Sequence, residues 1–225
     1  MQTIWIITAM QEEADLIIEK YNLEKVNKKW TLTIFHWTLW ETNLVLLLWW
    51  IWKIQASFST TFLLENYRVD KIINIGIAGN INKEKINIGN VILPNKFIQH
   101  DMYLPFWWSH LDYAKAEIKI KTPLLDKEGL GVVIHNNLTC LTWDQFIDDE
   151  KIISDLKEKY NWDLVEMEVF AILSIAKNYE QLDKCIVIKW ISDWANNEAI
   201  DAHMSNLEIA MKNSIVVLDK IINKI

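Results

Sequence analysis

The chain opens on Thr3 to Thr8, a short, apolar, β-branched run that predicts a buried strand. Met10-Gln11-Glu12-Glu13 follows at once, and Ala14 to Tyr21 carries a helical pattern with Leu16 and Ile17 turned inward. Met10 to Glu13 therefore stand at the carboxyl end of a strand, where open α/β sheets place ligands. Trp30 to His36 and Asn43 to Leu48 read as an antiparallel pair, and Trp49-Trp50-Ile51-Trp52-Lys53 joins the second strand to a helix over Ile54 to Asn66. Lys71 to Ile75 is another buried strand, ending in Gly76-Ile77-Ala78-Gly79, which reads as a small-residue turn open to close approach by a ligand. Val91 to about Gln99 predicts a strand, and the aromatic His100 to Trp107, with Pro105, a loop. Thr122 to Gly131 is a polar connection. Val132 to His135 and Leu138 to Leu141 read as strands, with a helix near Asp149 to Tyr160. A helix to about Asn178 and a buried strand from Cys185 to Trp190, leading into Ile191-Ser192-Asp193, come next. The last element, from about Ala202 to Ile222, is an amphipathic helix with Leu207, Met211, Ile215 and Leu218 on one stripe. Strands alternate with helices and no linker or repeat interrupts them. The expected architecture is α/β, a single domain over residues 1–225 with a central mixed β-sheet flanked by helices.

The stretch Asp163 to Phe170 stands out within this pattern, because Glu166 and Glu168 flank Met167 inside an apolar run. Carboxylates at i and i+2 do not share a helix face, but they share a strand face. A strand ending at Glu166 would aim at least one into a cleft, with Val165, Met167 and Val169 as dry surroundings in which its charge acts strongly. The plain alternative, for this pair and for Glu12-Glu13, is an acidic first helical turn that complements the helix dipole. Considered together, Glu12-Glu13, Gly76 to Gly79, Glu166 to Glu168 and Ser192-Asp193 each fall at a strand's carboxyl end or just beyond it. In one sheet such ends converge on one rim, and acids gathered there suit acid/base chemistry on a neutral or cationic substrate.

Composition narrows the classes. The 225 residues are 51% hydrophobic with a formal charge of −7, ordinary for a globular protein. An acidic chain without a basic cluster argues against a nucleic-acid partner. The longest apolar run, Leu44 to Trp52, is too short to cross a bilayer, and Met1-Gln2-Thr3-Ile4 lacks the basic region of a signal peptide. Cys140 and Cys185 have neither metal-ligand spacing nor a redox motif. The expectation is a cytoplasmic enzyme or binding protein without a metal or other cofactor.

The segments Ala9-Met10-Gln11-Glu12-Glu13, Gly76-Ile77-Ala78-Gly79, Gln99-His100-Asp101, Asp144-Gln145-Phe146, Val165-Glu166-Met167-Glu168 and Ile191-Ser192-Asp193 occur in an order and spacing that resemble one family. It is the 5′-methylthioadenosine/S-adenosylhomocysteine nucleosidases of the nucleoside phosphorylase fold, and the likeness spans nearly the whole length. The resemblance implies that Glu13 activates water, that Asp193 protonates adenine N7, and that Glu168 binds the ribose hydroxyls. It implies that Phe146 stacks on adenine and that the Ile147 backbone reads its edge. Met10, Ile51 and Met167 would line the sugar, while Leu104 and Trp107 would wall the 5′ pocket of a partner subunit in a homodimer. Ala78, Gly79, Glu166 and Ser192 belong to the same motifs as substrate-binding positions. Ile77 stands where the family usually has Ser or Thr, and Tyr103 near where it has an acid. Gly-Ile-Ala-Gly also looks like futalosine hydrolases of the same fold. A phosphorylase would hold phosphate with arginines, and the chain has only Arg68. A non-catalytic nucleoside-binding module would need the pocket but not three acids.

Thirteen tryptophans and five glycines depart from ordinary usage. Three of the tryptophans crowd the strand-to-helix turn of Trp49 to Lys53, where glycine is the usual residue, and Trp37 and Trp40 bracket an expected hairpin. The family resemblance places glycine at or near Trp5, Trp50, Trp52, Trp143 and Trp190. Most of these tryptophans, with Trp107 and Trp162 excepted, are expected to be glycine in the native protein, through one codon read with the wrong meaning.

Overall fold

The computed structural model describes the chain apart from residues 30–31, 40–41, 50, 102–116, 124, 126–133, 150, 155–161, 196–198 and 225. The described elements run β1 (Gln2–Thr8), α1 (Gln11–Tyr21), β2 (Glu24–Lys29), β3 (Leu32–Leu39), β4 (Thr42–Leu48), α2 (Lys53–Asn66), β5 (Lys71–Asn80), β6 (Val91–Leu93) and β7 (Lys96–Gln99). They continue with β8 (Glu117–Lys119), β9 (Ile134–Asn136), β10 (Thr139–Thr142), β11 (Leu164–Glu166), α3 (Val169–Asn178), β12 (Cys185–Asp193) and α4 (Ala199–Ile222).

β5 organises the sheet. Its first half pairs parallel to β1, its far end pairs antiparallel to β11 at Gly79 and Asn80, and β12 runs parallel beside it from Ile72 onward. The resulting order is β2-β3-β4-β1-β5-β11-β10-β7-β8, with β12, β6 and β9 branching from β5. Side chains alternate across this sheet with the period of a strand. Ile4, Ile6, Ile73, Ile75, Ile186 and Ile188 face a core shared with Ile17 and Tyr21 of α1 and Met211, Ile215 and Leu218 of α4. Trp5, Ile7, Ile72, Cys185 and Val187 face the opposite core, shared with Ala56 and Leu63 of α2 and with Val169 to Leu173 of α3. The expected stripe on the last helix is thus buried at Met211, Ile215 and Leu218.

Several expectations are corrected. Gly76 to Gly79 is no turn: β5 continues to Asn80, because β12 pairs with it as far as Gly79 and β11 with Gly79 and Asn80, which keeps the segment extended. The strand expected over Val91 to Gln99 breaks into β6 and β7 around Pro94-Asn95, since proline cannot donate to a ladder. β12 runs beyond Trp190 to Asp193, so the Ser192-Asp193 pair is itself in the strand. β2, every residue of it exposed, carried no apolar alternation by which to be recognised. Of the helix expected near Asp149 to Tyr160, residues 151–154 are helical and the rest lies outside the described residues.

Candidate active site

A cavity opens at the carboxyl ends of β1, β4, β10 and β11 and along the second half of β5. Its lining includes Met10, Glu13, Ile51, Ala78, Gly79, Phe146, Ile147, Glu166, Met167, Glu168, Ser192 and Asp193. Those are all the expected site residues except Leu104 and Trp107, which lie outside the described residues. Ala9, Ile77, Gln145 and Val165 also line it.

Glu12 is exposed and Glu13 buried, so the first acidic pair divides into a solvent-facing helix residue and a site residue. The Glu13 carboxylate accepts hydrogen bonds from the backbone N–H groups of Ala9 (3.0 Å) and Met10 (3.1 Å), where β1 ends, and of Ile77 (3.3 Å) in β5. A Cβ at Gly76 would stand 2.7 Å from Glu13 Oε1, so glycine there is what admits the carboxylate. Burial pushes the Glu13 pKa up, against the pull of Lys189 and of the three N–H groups.

The second acidic pair also divides. Glu166 Oε2 accepts from the N–H groups of Glu168 (3.0 Å) and Val169 (2.9 Å), and Glu166 Oε1 accepts from the Thr142 hydroxyl. Its carboxylate is therefore largely engaged in capping α3, the role set out above as the plain alternative. Glu168, the N-cap residue of α3, has turned out of the strand direction and, among the described residues, its carboxylate receives one long bond, 3.5 Å, from Trp52 N–H. Burial, then the nearby Glu166 and Glu13 charges, raise the Glu168 pKa to about 8, with Lys189 opposing.

Lys189 was not singled out from the sequence. It is 2% exposed on β12, and its Nζ lies 3.2 Å from Glu166 Oε2. Burial alone would lower its pKa, but Glu166, Glu168 and Glu13 together raise it, so the ammonium persists among three carboxylates. The signal was present: one lysine inside an otherwise apolar strand is costly unless paired.

Asp193, also in the lining, is 2% exposed, accepting from Ser192 Oγ at 2.6 Å and from Ala195 N–H at 2.7 Å. A Cβ at Gly79 would come within 3.0 Å of Asp193 Oδ1 and 3.1 Å of Ala195 Cβ, so the second glycine of β5 makes room for this acid as the first does for Glu13. Asp163, in contrast, ties loops together by accepting from Asn82 Nδ2 at 2.9 Å and Thr139 N–H at 2.8 Å.

A buried base candidate, a second buried carboxylate and a buried acid candidate around one apolar cleft define a small-molecule acid/base site. Residues 3–223 match the phosphorylase superfamily, and the chain belongs to it. Within that superfamily it belongs with the 5′-methylthioadenosine/S-adenosylhomocysteine nucleosidases. It is 31% identical to the protein of that name from Buchnera aphidicola subsp. Schizaphis graminum, over 99% of this chain and 97% of that one. The Bacillus subtilis protein of the same name is 28% identical over 98% of both chains. Among solved structures, the Streptococcus pneumoniae nucleosidase with a transition-state inhibitor superposes with a TM-score of 0.81 at 25% identity, covering 96% of both chains. A futalosine hydrolase mutant from Helicobacter pylori has the same fold, with a TM-score of 0.85 at 20% identity and full coverage of both chains.

Proposed function

We propose that this protein, as one nucleosidase domain, hydrolyses the N-glycosidic bond of 5′-methylthioadenosine and S-adenosylhomocysteine, releasing adenine and the thioribose. The observation that carries the reading is the placement of Glu13, Glu168 and Asp193 around one cavity, each in a different electrostatic setting. Breaking the bond leaves an oxocarbenium-like sugar and a purine anion. Glu13, oriented by three N–H groups, takes a proton from water while the water oxygen bonds to the anomeric carbon. As the bond to N9 breaks, Asp193 gives its proton to N7, so adenine leaves neutral. Glu168 holds the ribose hydroxyls, and the neighbouring negative charge supports the sugar cation. Each acid or base role contributes about 10²–10⁴-fold. Phe146 and Ile147 serve the base; Met10, Ile51 and Met167 serve the sugar.

Hydrolysis is favoured over phosphorolysis because Arg68, the chain's one arginine, is exposed and paired with Asp70 away from the cavity. Exposed Ile54 and Phe58, one turn apart on α2 beside the cavity wall, fit the apolar contact of a homodimer. Among the described residues no helix is long and apolar enough to cross a membrane. A cytoplasmic place in methionine salvage fits the chemistry of this substrate. The test is a panel of methylthioadenosine, S-adenosylhomocysteine, 5′-deoxyadenosine, futalosine and inosine, with free base measured with and without phosphate. Adenine release independent of phosphate is expected. Preference for futalosine, or formation of a sugar phosphate, would overturn the assignment.

A further inference from the structure

α2 begins at the cavity without a capping side chain of its own: Trp52, its N-cap residue, makes no side-chain cap bond. Its first N–H groups are met instead by carboxylates from across the site. Trp52 N–H points to Glu168 Oε1, and Lys53 N–H donates to Asp144 Oδ1 at 2.9 Å. The Lys53 side chain then closes the cluster. Its Nζ pairs with Asp101, just past β7, and lies 3.5 Å from Asp144 Oδ2. The Lys53 side chain is only 13% exposed, unlike the solvated pairs that contribute little. Burial works to raise the Asp101 pKa, but hydrogen bonds from Lys53 and Gln99 outweigh it and hold the carboxyl below its ordinary value. Asp144 directly precedes Gln145, Phe146 and Ile147 of the cavity, and Ile51 of the cavity stands two residues before Lys53.

We propose that Lys53 is a positioning residue: its bonds to Asp101 and Asp144 set the separation between the wall that carries Phe146 and the wall that carries Ile51, and so the fit of the nucleoside between them. No group of Lys53 touches the reacting atoms, so its loss acts on binding rather than on the chemical step. The proposal rests on the nucleosidase reading, which the wild-type panel tests separately. Lys53 variants are compared on whichever nucleoside the wild type cleaves, and also by calorimetric binding of adenine, which needs no turnover. Lys53→Met is expected to raise KM and the adenine Kd about tenfold with kcat changed less than about threefold, since small misplacements of a binding wall are costly. Lys53→Arg should restore most of the affinity. Asp144→Asn should match Lys53→Met, and the double variant should be no worse than either single one. If Lys53→Met is insoluble, Asp144→Asn carries the comparison with wild type. Unchanged KM and Kd, a loss confined to kcat, or additive effects in the double variant would each overturn it.

A separate observation concerns Trp52 itself. Its backbone lies at φ 106°, ψ 145°. This region belongs essentially to glycine, and the other described non-glycine residues with positive φ, Asn22, Asn137, Glu180 and Ala195, all lie between 50° and 61°. The indole is 55% exposed and gives no cap bond in return for the strain. With thirteen tryptophans against five glycines in the chain, we infer that the native residue here is glycine, encoded by a UGA codon read as tryptophan. The intact mass of the protein from its own source organism should fall short of thirteen tryptophans, with glycine at 52 in the peptide spanning the turn, and Trp52→Gly should raise both Tm and turnover of the chain as written. A native mass with all thirteen, or a UGG codon at position 52, would overturn it.

Discussion

At the scale of single residues, the site separates carboxylates that sequence alone presents as equivalents. Glu12 and Glu13 are adjacent, yet only Glu13 turns inward to the N–H groups of Ala9, Met10 and Ile77. Glu166 and Glu168 are two apart, yet Glu166 is engaged by Lys189, Thr142 and the start of α3 while Glu168 remains available. Glu13→Gln and Asp193→Asn should each cut kcat by about 10²-fold or more and leave binding of a substrate-like inhibitor largely intact. Near-full turnover in either variant, measured by adenine release, would remove that residue from its role. Glu168 makes a distinct prediction. Its folded pKa of about 8 lies above the ordinary 4.5, so the folded protein holds a proton that the unfolded chain has lost. Its contribution to stability is complete below about pH 4.5 and is lost as pH rises through about 8. Glu168→Gln should therefore flatten the fall of Tm between about pH 6 and 9, by an equivalent of ~1 kcal/mol or more, even as turnover drops. The same slope in both proteins would show that Glu168 does not titrate in this way.

At the scale of elements, β5 does what a loop was expected to do. The small residues Gly76, Ala78 and Gly79 belong to an extended strand whose backbone faces two acids, so Gly76→Ala should displace Glu13 and cost activity far more than stability. Tm close to wild type with turnover reduced about tenfold or more is the expected pair of measurements, and unchanged turnover would contradict the crowding. This element also marks the limit of what the sequence discloses. The motif order, the strand ends and most cavity residues were legible, because apolar periodicity locates strands and acids at their ends stand out. The division of labour within each acidic pair was not, since it depends on which backbone N–H groups a neighbouring strand presents. Lys189 escaped because its partners are 21 and more residues away in sequence and meet it only through the fold. β2 escaped because its residues are exposed, so no apolar alternation marks the strand, and its place is set by backbone pairing with β3.

At the scale of the whole molecule, the homodimer proposed above makes its own prediction, with exposed Ile54 and Phe58 of α2 as the residues to test. Sedimentation equilibrium should give a dimer at working concentrations, with Ile54→Asp shifting it toward monomer. A fully active monomer at every concentration would dismiss a shared pocket. One further consequence follows from β5. Glu13 is held at Ile77 N–H, and Asp193 sits beside Gly79, so the two proposed proton-transfer groups are both gauged from one strand, two residues apart. At about 3.3 Å per residue, the backbone points that anchor the two groups stand ~7 Å apart. In the proposed reaction the two groups act from different sides of the sugar, water entering on one face while the base departs from the other, which inverts configuration as in inverting glycosidases. The thioribose should then emerge as the α-anomer, visible by proton NMR before mutarotation mixes the two.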